Sequence, residues 1–186
     1  MINTEKLSSE QWGLLFDVRR SIRYHDKRRS FFLRLHQFTS VLTIMMAGSV
    51  VFDFAKPGEV SWWLKVISLG TALLVIFDLA FRFSEKEKIH LDLKGRWIDL
   101  ESKMLSKLDD ESAWNEFCLD RLKIEQDEPP IYRALDLLCH NELTFAEGLS
   151  QSERFDIPCH YLLFKNISHF HDICNKVKKF PKEEDQ

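Results

Sequence analysis

The chain combines long apolar segments with amphipathic ones. In the first apolar segment there is no Asp, Glu, Lys or Arg from His36 to Phe52. A helix of about 20 residues rises roughly 30 Å, which is the thickness of the hydrocarbon core of a bilayer. A helix over about 35–54 is therefore predicted to be long enough to cross a membrane.

A second apolar segment follows after a short link. It extends from Val60 to Phe81, and its only ionisable residues are Lys65 near one end and Asp78 near the other. At those positions a lysine can snorkel and an acid can reach the interface. We predict a second span over about 60–83. The alternative is a pair of buried helices in a soluble bundle, but such helices rarely stay apolar over this length.

The link predicts a hairpin, and the distribution of Lys and Arg predicts its orientation. The link DFAKPGE has seven residues and contains the turn signal Pro57-Gly58, so 35–84 should form a two-helix transmembrane hairpin. Seven Lys and Arg residues lie in 19–34 and five in 82–96, whereas the link has only Lys56. Because positive residues near spans stay in the cytoplasm, both termini should be cytoplasmic. The predicted membrane-interface residues are Arg28, Arg29, Arg34, Trp62 and Trp63.

The polar segments on either side of the hairpin have helical periodicity. Ser8-Ser9-Glu10-Gln11 resembles a capping box, which predicts an amphipathic helix from about Ser9 within the cytoplasmic segment 1–34. No alternating pattern indicates a strand. The predicted fold class is an all-α membrane protein, with a two-transmembrane-helix hairpin between an N-terminal amphipathic helix and a C-terminal cytoplasmic helical domain.

The predicted cytoplasmic helical domain covers 85–180, and 181–186 is predicted to be a disordered tail. Pro129-Pro130 should end one helix and precede another that Gly148 terminates. Pro158 is predicted to open a last helix that continues to about Lys179. Apolar residues recur at steps of three and four after the second span, and this stripe needs a partner from the same chain or from a neighbouring subunit. As an assembly stripe we predict Ile89, Leu93, Trp97, Leu100 and Met104.

Small and polar residues in the two spans are candidates for lining or gating a pore. They share helical spacing within each span, and small polar residues also allow helices to pack closely, so packing alone stays an alternative. An acid near the membrane interior is a functional-site candidate by default, although Asp78 could simply pair with Arg82 one turn later. The candidates are Thr39, Thr43, Ala47, Ser68, Thr71, Asp78 and Arg82.

The distribution of charge and the spacing of the cysteines bear on possible nucleic-acid, metal and enzymatic functions. Up to Arg96, Lys and Arg outnumber Asp and Glu by 15 to 10, whereas beyond it Asp and Glu outnumber them by 19 to 11. An acidic cytoplasmic part repels phosphate, so no nucleic-acid partner is expected. The four cysteines and nearby histidines lack paired metal-ligand spacing, and no phosphate-binding loop or hydrolase motif is present. We expect no metal, no cofactor and no enzymatic activity.

Three segments resemble a known family. RYHDKRRSFFLRLHQF, DLAFRFSEKEKIHLDL and EQDEPPIYRALDLLCHNEL, together with the hairpin between them, resemble the SLATT superfamily of two-transmembrane effectors associated with SMODS and SLOG domains. The resemblance covers roughly residues 15–150. It implies a multi-pass protein of the bacterial inner membrane and a pore-forming effector of a bacterial or prophage defence system, acting by abortive infection. It also implies a trigger, either a nucleotide second messenger or a separate sensor protein.

Two functions therefore stay open at the level of sequence. The first is a homo-oligomeric effector that forms a channel or perturbs the bilayer when triggered. The second is a membrane-anchored helical scaffold or regulator that tethers a cytoplasmic partner without conducting. One hairpin cannot enclose a water path, so the first function requires several copies of the chain.

Overall fold

The computed structural model describes residues 7–54, 61–108 and 110–181, and side chains are described except at 52–54 and 174–175. The predicted turn at Pro57-Gly58 and the tail beyond residue 181 lie outside these residues. The chain is mostly helical, as predicted. Its helices are α1 (Ser9–Phe54), α2 (Trp62–Phe81), α3 (Phe83–Ser106), α4 (Ala113–Glu125), α5 (Arg133–Ala146), α6 (Cys159–Leu163) and α7 (Ile173–Lys176).

The helix ends follow the predicted signals. Ser8 N donates to Gln11 Oε1 at 2.9 Å and Gln11 N donates to Ser8 Oγ at 3.2 Å, so the predicted capping box is confirmed at the start of α1. Pro129-Pro130 lies between α4 and α5. Gly148 follows α5 with φ of 70°, a left-handed conformation that glycine adopts without strain.

The predicted last helix is wrong. Instead of one helix from Pro158 to about Lys179, the chain forms the two short helices α6 and α7 and a small antiparallel ladder of β1 (Phe155–Asp156) with β2 (Lys178–Lys179). Phe155 pairs with Lys179 in that ladder. Ile173 and Val177 are buried in a small core with Ala134 on α5.

The chain divides into two compact units. The first contains Met1–Lys27 and Leu91–Gln186, and the second contains Arg28–His90. The core of the first unit joins the start of α1 to α3 and α4, with apolar residues at steps of three and four on each helix. Its buried members are Leu14, Leu15, Val18, Leu93, Trp97, Leu100, Met104, Ala113, Trp114, Phe117 and Ile124.

The second unit contains the rest of α1, α2 and the first residues of α3. One helical stretch within Trp62–Ser106 is long and apolar enough to cross a membrane, with a mean hydropathy of 2.0 and only 6% of its most apolar window buried. Side chains on α1 are described as far as Val51, and that part of α1 does not meet the same criterion. α2 ends at Phe81, and the next residue, Arg82, has φ of 51° and separates α2 from α3.

Candidate functional site

A polar cluster joins α1 to α2 inside the second unit. His36 Nδ1 lies 3.3 Å from Asp78 Oδ1, and Thr39 Oγ1 lies 3.1 Å from the same oxygen. Thr39 Oγ1 also lies 3.0 Å from the main-chain oxygen of His36, so its single proton serves two acceptors. Thr39 is 4% exposed, whereas the side chains of His36 and Asp78 are 38% and 32% exposed. The carboxylate is therefore held by two side chains of the other helix.

The positions of these residues explain why they meet. His36 and Thr39 are three residues apart on α1, so they share a face of the helix. Counted from the facing helix ends at Phe54 and Trp62, they lie at nearly the same depth as Asp78. His36 was not among the predicted lining residues, so sequence reasoning missed it as the partner of Asp78. The available signal was that His36, Thr39 and Asp78 lie at similar distances along the chain from the turn of the predicted hairpin.

The predicted alternative in which Asp78 pairs with Arg82 does not describe the structure. Arg82 Nη1 lies 3.0 Å from Glu85 Oε2, and the Arg82 side chain is 69% exposed. Arg82 adopts the left-handed conformation that ends α2, so it no longer follows the helical spacing that would place it beside Asp78. Asp78 is bound by α1 instead.

The helices also approach each other closely at a glycine. A Cβ atom added to Gly70 on α2 would lie 2.9 Å from Cε of Met46 on α1. Real Cβ atoms essentially never come so close to another atom. Cε is the far end of a flexible side chain, so a Cβ atom at position 70 would displace the Met46 methyl, and Gly70 leaves that space between the two helices to Met46.

Known proteins supply no relative for this arrangement. The chain matches no family model, no curated protein and no solved structure. The function of the cluster has to follow from its own geometry.

The other predicted lining residues are not all gathered at the cluster. Thr43 and Thr71 are half-buried, whereas Ala47 and Ser68 are exposed. Thr71 Oγ1 donates to the main-chain oxygen of Ile67 at 2.9 Å, a bond within its own helix that satisfies the hydroxyl in an apolar setting. Thr39 and Asp78 are thus the two candidates that the structure brings into contact.

The predicted interface residues fall into different environments. Arg28 is 4% exposed, and its guanidinium carbon lies 4.6 Å from the centroid of the Phe32 ring, so its charge is covered by aromatic surface. Arg29 Nε lies 2.9 Å from Glu87 Oε1, and Arg34 is exposed. Trp62 and Trp63 are 59% and 60% exposed.

The predicted assembly stripe is mostly occupied by the chain itself. Leu93, Trp97, Leu100 and Met104 are each at most 2% exposed and belong to the core of the first unit. Ile89 is 46% exposed. For the four buried residues the same-chain alternative describes the structure, because α1 and α4 cover that face of α3.

Thiols and histidines form no metal site among the residues that the structure describes. Cys118, Cys139 and Cys159 are free thiols. Burial raises the pKa of the Cys139 thiol to about 12, so it is an inert core group rather than a nucleophile.

The polar cluster can hold one charge at a defined position along α1 and α2. A carboxylate oxygen that receives a hydroxyl proton and faces an imidazole nitrogen can share a proton with that nitrogen or attract a small cation. Its neighbours on both helices are apolar and exposed.

Proposed function

We propose that the chain is a multi-pass membrane protein whose two spans, the second half of α1 and α2, assemble with other copies to form a pore or perturb the bilayer. The observation that carries the proposal is the exposed apolar surface of both helices. Burying one such side chain contributes roughly 1.5–3 kcal/mol, so this surface is costly in water. Its members include Val41, Ile44, Met45, Val51, Leu69, Leu73, Ile76 and Leu79, each at least 56% exposed.

The low burial of α2 is what favours a lipid environment over a soluble core. A core helix of a soluble protein is mostly buried, whereas 6% of the apolar window containing α2 is buried. Helices satisfy their own backbone hydrogen bonds and are therefore suited to cross a bilayer. The surface that the chain leaves uncovered can be covered by lipid and by further copies.

The polar cluster supports a conducting assembly. Ionisable residues inside membrane helices usually face a bundle interior or a water path and are functional. Asp78 and His36 each keep about a third of their side chain uncovered by the chain, and other copies or water can reach that part. In an assembly, repeated Asp78 carboxylates would form a ring that favours cations.

The resemblance to the SLATT superfamily supports the biological setting of this proposal. The chain would act in a bacterial or prophage inner membrane, with both termini in the cytoplasm, as an effector of a defence system. Its trigger would be a nucleotide second messenger or a separate sensor protein that acts on the cytoplasmic helices.

A membrane-anchored scaffold is the second candidate, and one observation favours it. Leu163, Phe164 and Ile167 in the C-terminal part are 74%, 47% and 68% exposed. Exposed apolar clusters of this kind commonly mark protein interaction sites. In that case the spans would only tether the helical domain.

Reconstitution into liposomes separates the two functions. We expect release of an entrapped dye that rises steeply with the protein-to-lipid ratio, and a cation-selective reversal potential under a KCl gradient. Asp78→Asn should move that reversal potential toward zero while the oligomer size in detergent stays the same. Asp99→Asn, an exposed acid on α3, is the matched control and should change neither quantity.

One result would contradict the pore: a strictly monomeric protein in detergent and in liposomes, with no dye release at any ratio, which leaves the scaffold. A different result, conduction with an unchanged reversal potential in Asp78→Asn, would contradict only the role of Asp78 and place it outside the ion path.

A further inference from the structure

A cleft of about 470 Å³ lies within the first unit, away from the polar cluster. We call it the acidic cleft. Its wall is built by the start of α1, the end of α4, the Glu128-Pro129-Pro130 loop and the start of α5. Six Asp, Glu and Arg residues line it: Asp17, Arg20, Arg121, Glu125, Glu128 and Asp136.

The two guanidinium groups of the cleft are already engaged by carboxylates. Asp17 bridges them, with Oδ1 at 3.1 Å from Arg20 Nη2 and Oδ2 at 3.1 Å from Arg121 Nη1. Arg121 Nε also lies 2.6 Å from Glu125 Oε1. An anionic ligand would therefore have to displace a carboxylate from either arginine.

Asp136 has one guanidinium partner in the cleft. Arg20 Nε lies 3.2 Å from Asp136 Oδ1, but this nitrogen makes no hydrogen bond within the described part of the chain. Burial raises the pKa of Asp136; Arg20 and His140 partly oppose that rise, whereas Asp17 and Glu128 add to it. The half-buried carboxylate of Asp136 thus lies beside a guanidinium that does not donate a hydrogen bond to it from Nε.

The opposite wall is fixed by buried hydrogen bonds. Glu128 Oε1 lies 2.8 Å from His25 Nε2 and accepts a bond from Trp97 Nε1 at 2.7 Å. His25 and Trp97 are each 1% exposed. Tyr24 Oη accepts a bond from the main-chain N–H of Tyr132 at 3.0 Å. A wall held in this way, next to two prolines, is preorganised for a ligand.

The charge balance determines the kind of ligand. Four carboxylates face two guanidinium groups in the cleft, so its field attracts cations and repels anions. The described Asp, Glu, His and Cys side chains do not converge closely enough to hold a metal ion. A volume of about 470 Å³ is within the range of small-molecule sites.

We propose that the acidic cleft binds a small organic cation, with an ammonium or guanidinium group of the ligand placed beside Asp136. The ligand donates a hydrogen bond to the Asp136 carboxylate, to which Arg20 Nε makes none, and its aliphatic part lies against Pro129, Pro130 and Ile131. This site is independent of whether the spans conduct.

Calorimetric titration of the full chain in a neutral detergent at 150 mM salt tests the site, with spermidine as the probe. We expect saturable binding at one site per chain, with an affinity that is about tenfold weaker in Asp136→Asn. Asp99→Asn removes the same charge from an exposed position of α3 and should bind spermidine as the wild type does. AMP, as an anionic probe, should show no saturable binding.

A second measurement uses the wild type alone, so that it does not depend on the folding of a variant. Because burial raises the pKa of Asp136, its carboxylate takes up a proton at a less acidic pH than an ordinary aspartate. Spermidine affinity should therefore fall as the pH is lowered toward the raised pKa of Asp136, at a less acidic pH than for a site built on an ordinary aspartate. Absence of saturable binding, equal affinity of Asp136→Asn and the wild type, or preferential binding of AMP would each overturn the proposal.

Discussion

Replacing Glu128 tests how the loop between α4 and α5 is held to the core. Glu128→Ala removes the acceptor that lies 2.8 Å from His25 Nε2 and 2.7 Å from Trp97 Nε1. A buried donor that loses its acceptor costs about 1–3 kcal/mol, so two donors cost roughly 2–6 kcal/mol. Because Glu128 lines the acidic cleft, water can replace part of the hydrogen bonding that its side chain provides. We therefore expect a loss of about 3 kcal/mol.

Glu128→Gln separates the hydrogen bonds from the charge. Its amide oxygen can still accept from both donors, so only the strengthening by the negative charge is lost, about 1 kcal/mol. For a chain of this size 1 kcal/mol corresponds to roughly 3 °C. Tm should fall by about 9 °C in Glu128→Ala and about 3 °C in Glu128→Gln.

Thermal unfolding in detergent, followed by near-ultraviolet circular dichroism, measures these shifts, because Trp97 and Trp114 lie in the core of the first unit. Glu116→Ala, an exposed acid at the start of α4, is the matched control and should melt with the wild type. The reasoning is refuted if Glu128→Ala melts within about 2 °C of the wild type. It is also refuted if the Gln and Ala variants melt together, since the acceptor would then contribute nothing.

Three further predictions concern single side chains. Because Cys139 is buried and its pKa is raised to about 12, iodoacetamide should modify exposed Cys118 and Cys159 but not Cys139 in the folded protein, as peptide mass spectrometry can check. Burial lowers the pKa of His140 below its ordinary 6.5. The stability that the folded state gains from the neutral His140 is therefore present above pH 6.5 and is lost as the pH falls through the lowered pKa. His140→Gln should flatten the pH dependence of Tm between pH 7 and 5. Gly70→Val should place a branched side chain where an added Cβ would already lie 2.9 Å from Cε of Met46 on α1. It should displace Met46 and reduce α1–α2 cross-linking, whereas a substitution at exposed Leu79 should leave the cross-linking unchanged.

Local signals predicted much of the fold. The capping box at Ser8, the break at Pro129-Pro130 and the end of α5 before Gly148 all depend on main-chain geometry that a few residues determine. The end of the chain was not predictable in the same way. Ile173 and Val177 pack on Ala134, which is distant in sequence, and this tertiary contact outweighs the helical propensity of the segment.

The candidate site could be predicted only in part. An acid within an apolar run identified Asp78, because its cost in lipid is high whatever surrounds it. The partners of Asp78 could not be predicted from helical spacing along α2. The left-handed conformation of Arg82 interrupts the helix before Arg82 can pair with Asp78, and the side chains that contact the Asp78 carboxylate come from α1. Arg28 was expected at the lipid headgroups because it belongs to a basic segment, yet it is 4% exposed and lies against the ring of Phe32.

The end of α2 gives Asp78 a second role, through its main chain. Arg82 N donates to the main-chain oxygen of Asp78 at 2.9 Å, and the Asp78 carboxylate meets Thr39 and His36. The main-chain oxygen of Asp78 thus accepts a bond from the residue that follows α2, and its carboxylate fixes the position of α2 along α1. Inserting a single residue between 78 and 82 would disturb the first role and leave the second intact, whereas an insertion before 78 would rotate the carboxylate by about 100° away from α1. Length changes on the two sides of Asp78 should therefore be tolerated very differently.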